Sequence, residues 1–175
     1  MTDGDTGSRF RDAMSLFASG VTVITTKGAS GPAGMTASAV CSLSVDPVQL
    51  LVCVSSSLPT HSALETAGTF AVNVLGEGQE ALARRFATPG IDRFAGVALR
   101  QEHQLPVLRD AIAYFACTVR ERFPGGDHSI FIGEVDDCGH RPGTRPLLYF
   151  DRAFGSLEPP ESFLLKGWVE GGATA

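Results

Sequence analysis

Short apolar runs, each bounded by turn chemistry, follow one another along most of the chain. They read VTVITT (21–26), MTASAVCSLSV (35–45), VQLLVCVSS (48–56), TFAVNVL (69–75), IAYFACTVRERF (112–123), HSIFIGEVDDC (128–138) and PLLYF (146–150). β-Branched and aromatic residues crowd these runs, as strands require. Gaps such as KGASGPAG and FPGGDH have the Gly, Pro and Asp content of tight turns. Strands separated by hairpin-sized gaps pair antiparallel, because a parallel crossover needs a dozen or more residues. The order is not the βαβα alternation of a parallel sheet. It predicts a mainly β fold, an antiparallel barrel with short helices on its outside.

Helical signals are few. RFRDAMSLFASG places Phe10, Met14 and Phe17 at helical spacing before Gly20. SALETAG begins with Ser62 and Glu65 at capping-box spacing, and EGQEALARRFA carries Leu82 and Phe86 four apart. Residues 1–9 are polar and Gly-rich and read as a flexible tail. Residues 10–157 read as one domain and 158–175 as a C-terminal extension that leaves through Pro159 and Pro160. With 175 residues the chain is long enough for one sizeable core.

Composition excludes several classes. A formal net charge of −5 implies no basic face for nucleic acid. No apolar run approaches the ~20 residues of a membrane helix. The start, MTDGDTGSRF, lacks the pattern of a signal peptide, so a cytoplasmic location is expected. Cys41, Cys53, Cys117 and Cys138 form no C-x-x-C pair, and the four histidines show no ligand spacing, so no metal site is expected. Cysteines in apolar strand-like runs read as small core hydrophobes.

Four segments carry possible chemistry. GMTASAVCSLSVDP (34–47) is strand-like, yet most of its side chains are small and hydroxyls recur. Bare main chain there can read the edge of a flat ligand, or it can let another backbone approach closely. Ser55, Ser56 and Ser57 end an apolar run, and Thr60 and Ser62 lead into a helix. Helix N–H groups and hydroxyls suit a phosphate, or they simply cap the helix. Gly76-x-Gly78-x-x-Ala81 matches a dinucleotide fingerprint but opens an acidic helix, with Glu77 and Glu80, and reads better as a Gly-marked turn. His128 follows Gly125-Gly126-Asp127 and starts a strand, which places it at a rim. Asp127, His128 and Ser129 are adjacent and alternate in direction, so they are not expected to form a triad.

Taken in order, FASGVTVITT, GMTASAVCSLSVDP, LLVCVSSSLPTHSALETAGTFAVNVL, ARRFA, DRF, GDHSIFIGEV and PLLYF resemble the flavin reductase-like family. These are the NAD(P)H:flavin oxidoreductase components of two-component flavin-dependent monooxygenases. The resemblance spans about residues 10 to 157. It implies a split β-barrel of the Greek-key, FMN-binding type, acting as a homodimer. It further implies FMN or FAD as cofactor, NADH or NADPH as reductant, and a monooxygenase that receives the reduced flavin. By the same resemblance Met35, Thr36, Ala37, Ser38, Cys41 and Ser42 lie along the flavin. Ser55, Ser56, Ser57, Thr60 and Ser62 lie on its phosphate side, and Arg84, Arg85 and Phe86 form a further contact region. His128 matches the histidine beside the nicotinamide, where it is a positioner or proton donor, since hydride transfer needs no base. Two other readings stand beside this one: a flavin-binding barrel without turnover, and an oxidase of the pyridoxine-phosphate type. The scarcity of lysine speaks against the last.

Overall fold

The computed structural model describes residues 5–157. In chain order the elements are α1 Thr6–Ser15, β1 Ser19–Gly20, β2 Thr22–Gly28, β3 Gly31–Ala37, β4 Val40–Val45, β5 Val48–Ser55, α2 Pro59–Ala67, β6 Thr69–Val74 and α3 Glu80–Ala87. They continue with β7 Leu99–Glu102, β8 Leu105–Leu108, β9 Ala113–Gly125, β10 His128–His140, β11 Leu147–Phe150 and β12 Ala153–Ser156. The fold is mainly β. Its main sheet has seven strands in the order β3-β2-β6-β9-β10-β5-β4, each pair antiparallel.

The edges of that sheet, β3 and β4, are consecutive in sequence, with only Ser38 and Ala39 between them. Three Cα–Cα steps of about 3.8 Å keep Ala37 and Val40 within about 11 Å of each other. In a flat sheet six inter-strand gaps of about 4.8 Å would hold the edges roughly 29 Å apart. The sheet therefore curls until its two edges meet at Ser38–Ala39. No ladder joins β3 to β4, so the curl stays open there and the expected barrel is not closed. Bulges in β10 and β4 help the bend. Gly133 allows the tight approach: a Cβ there would lie 2.6 Å from the Phe70 ring.

Strand alternation sorts the core onto two sides. Ile24, Val52, Val54, Phe70, Val72, Cys117 and Phe131 fill the inside of the curl with Leu64 of α2. Val21, Val23, Leu75, Ala83, Phe86 and Leu147 pack on the other side. The first five residues of β2 are all buried because both of its faces are covered. Its threonines are satisfied: Thr22, Thr25 and Thr26 donate to the carbonyls of Ala37, Pro106 and Thr69 at 2.6, 2.5 and 2.6 Å. Fully buried Asn73 donates through Nδ2 to Val23 O (2.9 Å) and Thr25 Oγ1 (3.0 Å), and its Oδ1 accepts from Leu108 N–H (2.8 Å). One side chain thus pins β8 and β2 to β6.

Several elements depart from the sequence reading. MTASAVCSLSV is two strands on opposite edges of the sheet, not one. The first helix opens at Thr6, where Asp5 Oδ1 accepts from Gly7 N–H, so it begins inside the segment read as a tail. Helix α2 starts at Pro59 with Leu58 as N-cap, so Ser62 is a second-turn residue and no capping box forms. The hairpin β7–β8 and strand β12 carried too little periodicity to be expected. The extension 158–175 lies outside the described residues. The Gly76 segment is a turn: β6 pairs antiparallel on both sides, and Gly76 N–H donates to Gln79 Oε1 at 2.7 Å. Asn73→Ala leaves the Leu108 N–H without its acceptor, and urea unfolding should show a loss of about 3 kcal/mol; a loss below about 1 kcal/mol would show that the clamp is dispensable.

Candidate functional site

The link Ser38–Ala39 is where the site begins. Its residues leave one ladder and enter another, so both are exposed main chain between two edges. Ala39 O accepts from Cys53 N–H at 3.0 Å, which ties the link to β5. Helix α3 buttresses the β3 side. Thr36 Oγ1 donates to Ala83 O at 2.6 Å. Phe86, stacked edge-on against Phe94 at 4.9 Å, packs over Gly34. A Cβ at Gly34 would lie 2.8 Å from Ile24 O and 3.1 Å from the Phe86 ring. Arg93 Nη1 closes this corner on Gly34 O at 2.7 Å.

Two hollows meet at the link and share Ser38, Tyr149 and Arg152. One, of about 500 Å³, lies between α1 (Phe10, Met14) and the row Ala39, Val40, Cys41, Leu51, Cys53. The other, of about 320 Å³, lies against Thr36, Ala37, Arg84 and Phe154. Both volumes fall within the range of small-molecule sites. The walls are largely apolar, and Arg11, Arg84 and Arg152 bring three cations to the borders. Arg84 lies over the Phe154 ring at 4.9 Å, and Tyr149 meets Phe154 edge-on at 5.4 Å. Arg152 sits in the β11–β12 turn, where it and Asp151 have φ of +62° and +45°, as a two-residue hairpin turn requires. From there Arg152 pairs with Asp12, and Asp151 N–H donates to Ser15 O at 2.7 Å, so the turn holds α1 over the cleft.

The predicted residues divide by direction. Ser38 and Cys41 line the cleft; Thr36 and Arg84 line its second half. Met35 and Ala37 turn their side chains into the core; Ala37 still borders the second hollow, whereas Met35 lines neither. Ser42 stands opposite buried Leu50 and lines neither hollow. Phe86 is fully buried and supports the wall from behind, so its ring is not presented to the cleft. Arg85 diverges from Arg84 around the helix and faces a separate hollow of about 380 Å³ beside Asp110. Thr60 is buried, and Ser62 lines a further hollow of about 920 Å³ between α2 and the β2–β3 hairpin near Lys27.

The serine turn and His128 come together at one end of the sheet. His128 pairs directly with Ser55 across the ladder, Ser56 N–H donates to Asp127 O at 2.9 Å, and the hydroxyls of Ser55 and Ser57 lie 3.0 Å apart. Leu51, Cys53 and Ser55 alternate onto the same outer face, so Ser55 and His128 lie about 7 Å along β5 from the cleft-lining Cys53. His128 Nδ1 is 2.7 Å from Asp127 Oδ1. That hydrogen bond, and then the imidazole charge, hold the Asp127 carboxyl below its ordinary range. The pair forms although the residues are adjacent, because Asp127 sits in the turn rather than the strand. Ser129 points the opposite way, into the interior, as alternation requires. Tyr149, Arg152, Phe154, Leu51, Cys53 and the α1 residues were not anticipated. Only the helical spacing of Phe10, Met14 and Phe17 gave a signal.

A small mainly β chain with an apolar cleft bordered by arginines, and a rim Asp–His pair on the same face, has the features of a small-molecule binding site suited to anionic ligands. Comparison with known proteins narrows the class. Residues 14–158 match the flavin reductase like domain, and the chain belongs to that family. It is 43% identical over 152 residues to the reductase component of a 4-nitrophenol 4-monooxygenase/4-nitrocatechol 2-monooxygenase from Rhodococcus opacus, covering 87% of this chain and 82% of that one. An NADH-dependent FAD reductase from Streptomyces globisporus is 39% identical over 149 residues, 82% of this chain and 81% of that protein. The solved structure of the Streptomyces globisporus C-1027 NADH:FAD oxidoreductase SgcE6, in complex with NAD and FAD fragments, superposes with a TM-score of 0.85 at 34% identity, covering 91% of this chain and 97% of that one.

The cysteines follow their reading as small hydrophobes only in part. Cys41 and Cys138 are exposed, Cys53 is half-buried, and only Cys117 is in the core. Burial, and then the charge of Asp136, push the Cys117 thiol up to about 12. A thiol reagent at about pH 8 should modify Cys41 and Cys138 in the folded protein and Cys117 only after unfolding. Prompt modification of Cys117 in the native state would contradict the packing described.

Proposed function

We propose that this chain is an NAD(P)H:flavin oxidoreductase that reduces FMN or FAD with NADH or NADPH and supplies the reduced flavin to a partner monooxygenase. The observation that carries the reading is the exposed link Ser38–Ala39, bordering the cleft, in a chain of the flavin reductase family. The curled, open sheet is the feature that supports the split-barrel description, with residues 10–157 as the catalytic unit. The residues present fit a flavin. Small side chains at Ser38 and Ala39 leave room for a flat ring, Leu51 and Val40 offer it an apolar floor, and Arg84 borders it as a further contact.

Bound together, the two cofactors supply hydride donor and acceptor, and the protein positions them. In this reading the main chain of Thr36–Val40 reads the ring edge. N–H groups of the Ser38–Ala39 link would offset negative charge on a bound, reduced ring. Ser55, Ser56 and Ser57 bring hydroxyls and a free helix start to the phosphate side. His128, oriented by Asp127, holds the nicotinamide and is not a base. Apolar residues left exposed support a homodimer: Phe10 (64%) on α1, Phe17 (71%) just after it, and Val45 (80%) on β4. A cytoplasmic location follows from the need for NAD(P)H. Among the described residues no helix is long and apolar enough to cross a membrane.

Purified protein mixed with NADH and FMN or FAD should consume NADH, seen as loss of nicotinamide absorbance. A flavin-binding protein without turnover would leave it unchanged. Ser38→Trp fills the cleft from an exposed position. It should weaken flavin binding at least about tenfold without changing the unfolding midpoint. His128→Ala should raise the KM for NADH roughly tenfold with kcat within about twofold. A collapse of kcat at unchanged KM would instead make His128 a participant in the chemistry.

A further inference from the structure

Outside the cleft, one chain of polar side chains runs through the interior. His61, in the first turn of α2, is 7% exposed, and so is Ser129 of β10. His61 Nε2 lies 2.8 Å from Ser129 Oγ. On the other side of the ring, Nδ1 is 3.4 Å from Glu65 Oε2, one helical turn on. Glu65 Oε1 in turn pairs with Arg122 of β9. The ring stands edge-on to Phe131 with centroids 5.4 Å apart. Burial, and then the Arg122 charge, lower the His61 pKa, so the imidazole is neutral near pH 7 and carries one proton. With a carboxylate facing Nδ1, the network assigns that proton to Nδ1, and Nε2 accepts the Ser129 hydroxyl.

The order Ser–His–Glu is that of a hydrolytic triad, but neither Ser129 nor His61 lines any of the hollows described. The relay's place in the fold gives it another use. Ser129 is the residue after His128, and it pairs with Val54, the residue before Ser55. Helix α2 begins two residues after Ser57, and its first turn has no side-chain cap. The relay therefore spans the two segments that meet at the rim: the serine turn with the start of α2, and the Asp127–His128 end of β10. Apolar packing alone tolerates sliding, whereas a buried hydroxyl with one acceptor is satisfied in one register.

We propose that Ser129, His61, Glu65 and Arg122 form a positioning relay that fixes His128 and the serine turn relative to each other, and so sets nicotinamide binding from inside the fold. This rests on the reductase reading for its kinetic consequence but not for its structural one. The test compares Ser129→Ala, His61→Ala and His61→Gln in the full chain. The glutamine amide can keep a polar group near the position of Nε2. Ser129→Ala and His61→Ala should raise the KM for NADH about tenfold with kcat within about twofold, and His61→Gln should recover most of the loss. In a His128→Ala background the Ser129→Ala effect on KM should vanish, because it acts through that residue. Independently, hydrogen exchange of the Ser56 amide, bonded to Asp127 O, should quicken at least about tenfold in Ser129→Ala, while exchange in β6 stays unchanged. An unaltered KM together with unaltered Ser56 exchange overturns the relay, as does a Ser129→Ala effect that persists in full without His128. If the wild-type protein does not oxidise NADH with flavin, the reductase reading fails and the exchange comparison alone decides the relay.

Discussion

A two-residue link governs this structure. Ser38 and Ala39 connect strands at opposite edges of a seven-stranded sheet, and that tether leaves the sheet no option but to curl. The curl gives the chain an inside, filled by Phe70, Phe131 and their neighbours, and a seam where no ladder joins the two edges. The seam, not a loop tip, is where the cleft lies. A ligand that recognises backbone edges meets there a wall that the core holds from one side and α3 from the other.

The supports around the seam are as particular as the seam itself. Gly34 admits Phe86, Thr36 fastens α3 to β3, and the β11–β12 turn ties α1 across the opening. Charge is placed sparingly. Arginines border the cleft of a chain whose net charge is −5, so the local sign, rather than the overall one, favours an anionic ligand. The Asp127–His128 pair adds a directed imidazole on the same face.

Much of this was legible in the sequence, and the failures have a common cause. The strands declared themselves because Val, Ile, Phe and Thr crowd them. Turn residues fixed the hairpins 27–31 and 124–127. The break at Ser38–Ala39 was invisible because small residues interrupt no pattern, and the fact that it joins two sheet edges is non-local. Alternation placed Thr36 outward and Met35 and Ala37 inward, yet the family resemblance grouped all three as ligand contacts. Phe86 looked like part of an Arg-Arg-Phe contact region, but helical geometry sends Arg84 to the cleft, Arg85 away from it and Phe86 into the core. Tyr149 and Arg152 enter the site from a hairpin more than a hundred residues downstream of Ser38, a proximity that no local window contains. Pro59, rather than Ser62, marked the start of α2, and that shift is what brings His61 into the interior.

The central claim is that the main chain at the seam is the wall against which a flavin lies. A crystal structure grown with FMN tests it most directly. The account predicts the ring along Ser38–Val40, with its phosphate toward the serine turn at Ser55–Ser57. A ring seated instead in the hollow between α2 and the β2–β3 hairpin, with the seam covered by neighbouring side chains, would contradict it.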